Sequence, residues 1–200
     1  MKLIALAALL LLALPAAQAS AEQDGYVYSP EGCDFRMTLP SEPQRTRRCH
    51  PYMRDNCALM DGFTKVYNMQ STINIYVTCE KTSRDTRRDY TQDVLQTLLL
   101  ARPGIDDLET YQLTFEENER ETVGALFGAG PSPTGYVAPM IYVAQFWVGE
   151  HSMMTIEAEL IGENYDPADQ AFAAILHSIH HVDFTPVPIE TSAPDEADAE

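Results

Sequence analysis

Apolar and polar residues alternate with a period of two along most of this chain, and the pattern gives way to a helical period in two places. Cys33, Phe35, Met37 and Leu39 share one face of a predicted strand over 33–39, which runs into a turn at Pro40 to Pro43. Residues 44–49 return as a second strand, and a polar loop around Pro51 leads to a third near 59–69. A turn at Asn68 to Ser71 opens a fourth over 72–80, rich in β-branched residues. This order predicts a meander. From Asp85 the residues Tyr90, Val94, Leu95, Leu98 and Leu99 recur at helical spacing until Pro103-Gly104. Strand patterns resume at 109–117, 121–128, 136–148 and 152–161. In the last, Met154, Ile156, Ala158 and Leu160 alternate with Thr155, Glu157 and Glu159, which are expected to face solvent. Asp166-Pro167 then opens a second helix with the stripe Phe172, Ile175, Leu176 and Ile179.

Strands, a helix, more strands and a closing helix predict an α+β fold, a mainly antiparallel sheet packed by two helices. The first strand with its turn, Gly32-Cys33-Asp34-Phe35-Arg36-Met37-Thr38-Leu39-Pro40, and the closing helix Phe172-Ala173-Ala174-Ile175-Leu176-His177-Ser178-Ile179 follow a long-hairpin order over 26–182. In this the chain resembles the PsbP-like superfamily. The resemblance implies an adaptor or binding module without a shared catalytic apparatus, and it carries no functional residue onto this chain.

The N-terminus changes the expected compartment. Lys2, the apolar run Leu3 to Leu14 and the small-x-small triplet Ala17-Gln18-Ala19 form a secretion signal over 1–19, too short and too interrupted by Pro15 to span a bilayer. A single domain is expected over 20–184, in the periplasm or outside the cell. Residues 185–200 are rich in Pro, Ala and acids and are expected to form a disordered acidic tail. The chain carries 13 basic and 30 acidic side chains, a net charge of −17. That sign opposes nucleic acid and anionic membrane as partners.

In an exported chain four cysteines, Cys33, Cys49, Cys57 and Cys79, point to two disulfides. A hairpin about Pro40 to Pro43 favours Cys33 with Cys49, and one about Asn68 to Ser71 favours Cys57 with Cys79. The same meander leaves Cys33 with Cys79 and Cys49 with Cys57 within reach.

Nine of the basic side chains fall within 45–88, against four acidic ones. Arg45, Arg47, Arg48, Lys81, Arg84 and Arg87 would meet at one sheet edge as a site for an anionic ligand or partner, or form a solvated face. The Gly/Pro-rich stretch 124–135 reads as a hairpin connection, a ligand loop with Phe127 and Tyr136. His177 and His181 share a helix face but lack a third ligand, so no metal is expected. Glu157 and Glu159 have the spacing of paired carboxylates. No phosphate loop, dinucleotide fingerprint, nucleophile elbow or zinc-protease motif is present, and no cofactor or catalytic residue is assigned. The leading expectation is a noncatalytic exported module that binds an envelope component; the alternative is an envelope enzyme, a hydrolase assembled only in three dimensions.

Overall fold

Ile73, Ile75 and Val77 on one strand and Met154, Ile156 and Ala158 on another are fully buried at alternate positions, so these two strands must be covered on the face they share. They are the centre of the molecule. The computed structural model describes residues 25–49, 57–102, 105–132 and 138–183. The signal at 1–19, the loop around Pro51, Pro103-Gly104, Tyr136 and the tail at 185–200 lie outside the described residues.

The strands are β1 (Tyr26–Tyr28), β2 (Phe35–Leu39), β3 (Gln44–Cys49), β4 (Cys57–Tyr67), β5 (Ser71–Lys81), β6 (Thr110–Glu117), β7 (Thr122–Pro131), β8 (Pro139–Val148), β9 (Ser152–Gly162) and β10 (His180–His181). The helices are α1 (Arg84–Asp89), α2 (Gln92–Leu100) and α3 (Asp166–His177). Seven strands form one antiparallel sheet in the order β3-β4-β5-β9-β8-β7-β6. Two meanders, β3 to β5 and β6 to β9, therefore join along the β5–β9 seam. The expected mainly antiparallel α+β architecture is the one found.

Three local expectations need correction. β2 does not pair with β3; it sits between β1 and β10 in a separate three-stranded sheet, so Pro40 to Pro43 link two sheets instead of closing a hairpin. The helix expected from Asp85 is two helices, because Tyr90 leaves helical geometry at ψ 63° and Thr91 restarts the chain from an extended conformation. Residues 124–131 are strand, not loop. A Cβ on Gly128 would lie 2.5 Å from Leu108 Cδ1 and one on Gly130 2.5 Å from Asp107 O. Those glycines admit a neighbouring segment instead of making a turn.

One face of the large sheet is covered by α3 and the small sheet, which pack Phe35, Met37, Leu39, Phe172, Ile175 and Ile179 onto β5 and β9. On the opposite face α2 lays Leu95 and Leu99 against Leu126, Tyr142, Ala144, Phe146 and Val148. Each of those leucines is wholly removed from water, worth about 2 kcal/mol apiece. α2 packs on β7 and β8. The β3-β4-β5 half of that face has no helix over it among the described residues, and the polar chemistry gathers there.

The small sheet is also fixed by polar contacts. The buried Asp34 carboxylate accepts hydrogen bonds from His151 N (2.7 Å) and Ser152 N (3.0 Å) in the β8–β9 turn, while Ser152 Oγ accepts from Asp34 N (2.7 Å). A disulfide joins Cys33, just before β2, to Cys79 on β5, and a second joins Cys49 to Cys57. The sequential pairing favoured above is thereby corrected. With β2 and β3 in different sheets, Cys33 cannot face Cys49, whereas Cys49 stands directly opposite Cys57 in the β3–β4 register. The two disulfides fit a secreted or extracellular protein. Among the described residues, no helix is long and apolar enough to cross a membrane.

Candidate functional site

Glu157 and Glu159 alternate with the core residues of β9, a pattern that separates two faces of a strand but does not say which of them meets water. The structure corrects the expectation that they face solvent: Glu157 is 2% exposed and Glu159 5%. Buried carboxylates must be compensated. The compensation comes from residues remote in sequence.

Arg48 reaches from β3 over β4 and β5, so that its Nη2 contacts Glu159 Oε1 and its Nε lies 3.5 Å from Glu157 Oε2. Arg102, just beyond α2, places Nη1 3.1 Å from Glu157 Oε1. Each guanidinium also stacks on a ring, Arg48 at 4.3 Å from the centroid of Tyr76 and Arg102 at 4.5 Å from that of Phe146. Asn74 Nδ2 donates to Glu159 Oε2 (3.1 Å), and Thr64 Oγ1 donates to Asn74 Oδ1 (2.9 Å). The formal charge of the cluster is zero.

Three buried atoms of this cluster have no hydrogen-bond partner: Arg48 Nε, Glu157 Oε2 and the hydroxyl of Tyr142, which stands opposite Glu159 on β8. Burial, then the charge of Glu157, pushes the Tyr142 phenol well above its ordinary range. Burial works against the Arg48 guanidinium, but Glu159 and Glu157 together outweigh it and hold its pKa above the usual value. Above the cluster opens a cleft of about 580 Å³, with Arg48, Arg102 and Glu157 in its lining beside Met60, Leu98 and Met153. About a quarter of each arginine side chain stays exposed. The arrangement presents two immobilised guanidiniums to whatever enters a cleft whose remaining lining mixes apolar side chains with Thr78, Thr155 and Glu80.

The six basic residues proposed as one edge are distributed differently from one another. Strand alternation puts Arg45 and Arg47 on the face opposite to Arg48. Arg45 Nη1 bonds Asp61 Oδ1 at 3.1 Å, and Arg47 is exposed opposite Leu59. Lys81 is exposed at the end of β5. Arg84 Nη2 bonds Glu150 Oε2 at 2.7 Å, and Arg87 donates to the carbonyls of Glu119 (3.0 Å) and Asn118 (2.8 Å). Phe127 is 41% exposed within β7, and its expected companion Tyr136 lies outside the described residues. Among the described residues no His, Cys, Asp and Glu side chains gather in a group that could hold a metal ion.

Sequence reasoning noticed Glu157, Glu159 and Arg48 but did not join them, and it passed over Arg102, Tyr142 and Tyr76. The available signal was two acids at alternate positions of a strand too apolar to be at an edge. Set against known proteins, the chain matches no family model and no curated protein.

Proposed function

We propose that this chain is a noncatalytic exported binding module whose ligand sits in the cleft over Arg48 and Arg102. The observation that carries this reading is the burial of Glu157 and Glu159 at the centre of the sheet as counter-charges to two partly exposed arginines. A buried ion network of this kind contributes little net stability compared with apolar side chains of the same volume, because desolvation offsets the Coulomb attraction. Its use is to fix donors in place before a ligand arrives, which lowers the ordering cost of binding. Since the cluster sums to zero charge, it favours a small ligand with a neutral acceptor, such as an amide or ester carbonyl, and an apolar body. The PsbP-like reading belongs to the same proposal, supported by the antiparallel sheet closed by α3. A hydrolase using these paired carboxylates would need one of them free to pass a proton, and both are tied to guanidinium groups.

Native mass spectrometry of the protein exported by its own cell tests the reading. The wild type is expected to carry a small-molecule adduct that Arg102→Met loses and that persists in high salt. An adduct-free wild type, or one whose adduct survives Arg102→Met undiminished, overturns it.

A further inference from the structure

A second cleft lies on the face of the sheet opposite to the arginine cluster and is independent of the reading above. It measures about 730 Å³, within the range of small-molecule sites, and is bounded by the β6–β7 turn Asn118 to Glu121, by Trp147 of β8, and by the segment His177 to His181. Most of the polar atoms of its inner rings are occupied from within. Trp147 Nε1 donates to Gln145 Oε1 (3.0 Å). His180 Nε2 accepts from Arg36 Nε (2.6 Å) and its Nδ1 bonds the carbonyl of Ser178 (2.6 Å), which fixes the neutral Nδ1–H tautomer. His181 Nδ1 accepts from Asp183 N (3.2 Å). With these heteroatoms engaged, Trp147 and His180 offer a ligand their π surfaces.

The rings and the opposite wall are held rigidly. Buried Phe35 meets Trp147 at a centroid distance of 5.8 Å and His181 at 5.6 Å, both edge to face, which sets their tilt. Asn118 Oδ1 accepts from Arg120 N (2.8 Å) and Glu121 N (3.0 Å), and Arg87 holds two carbonyls of the same turn. Around this floor stand the exposed side chains of Asn118, Glu119, Arg120 and His177. They supply donors and acceptors of both signs.

From this geometry we infer a saccharide-binding site: a neutral pyranose stacks its C–H face on Trp147 while its edge hydroxyls bond the polar rim. The ring platform requires an apolar face, and the mixed rim requires a ligand that donates and accepts around its perimeter without net charge. A flat aromatic ligand meets the first requirement and leaves the rim unused.

Trp147 is the only tryptophan in the chain, so its emission reports the site directly. Titration with glucose, galactose, N-acetylglucosamine and cellobiose is expected to give a saturable emission change for at least one of them, with a Kd on the order of 1 mM. Arg120→Ala and His177→Ala, both exposed, are expected to weaken that binding about fivefold each, the loss of one hydrogen bond, without altering the melting temperature. Absence of saturable binding by all four, seen in emission and in saturation-transfer NMR, overturns the inference. So does binding unchanged by both rim variants, or saturation by indole in place of any sugar.

Discussion

The hydroxyl of Tyr142 is the least expected single group in the molecule, buried beside two carboxylates with no partner for its proton. A buried polar atom without a hydrogen bond opposes folding, so its removal should be harmless or favourable. Tyr142→Phe is expected to leave stability at neutral pH unchanged or raise it by up to about 1 kcal/mol. The effect grows with alkali. Because the folded-state pKa is raised, the folded protein keeps a proton that the unfolded chain releases above about pH 10, and stability falls as pH rises through that range. Tyr28, pushed up by burial and by its bond to Asp61, and Tyr76, pushed up by burial, add to the same loss. Urea unfolding across alkaline pH should therefore show a shallower decline for Tyr142→Phe than for the wild type; parallel declines would place the phenol in water.

Among the elements, the long strands and α3 were legible because each presents enough residues to show its period: Met154 to Leu160 for β9, and Ala168, Phe172 and Ile175 for the closing helix. β1 and β10, three residues and two, are too short to show any period, and they are the strands that take β2 out of the main sheet. Hence the mistaken hairpin, and with it the mistaken disulfide pairing. The arginine–glutamate site was illegible for a related reason. Its members sit on β3, β9 and the end of α2, and only the β5–β9 seam, a contact between the two meanders, brings them together. Asp34 carries the corresponding polar link between small sheet and large. Asp34→Ala strands the amides of His151 and Ser152 and is expected to destabilise the fold by about 2–4 kcal/mol. Hydrogen exchange should then quicken first at those two amides and in β2; slowed or unaltered exchange there would contradict the link.

For the molecule as a whole, the two disulfides have different tasks. Cys49–Cys57 spans a sequence separation of 8 and joins neighbouring strands that are already paired, next to Arg48. Cys33–Cys79 spans 46 and crosses from the segment before β2 to the centre of the main sheet, so it restrains the relation between the two sheets. In the chain-entropy description a longer loop removes more freedom from the unfolded state, giving about 4 kcal/mol for the long bridge and about 2.5 kcal/mol for the short one. Replacing both cysteines of the long bridge by alanine should therefore lower the urea midpoint more than the same change at Cys49 and Cys57. The short bridge has the larger bearing on the proposed arginine cleft, because it ends the strand that carries Arg48. Its double alanine variant should lose ligand adduct out of proportion to its modest loss of stability, and the long-bridge variant should lose stability while retaining adduct in the fraction that stays folded. Equal effects of both pairs on binding, measured at equal folded fraction, would separate Arg48 from the site.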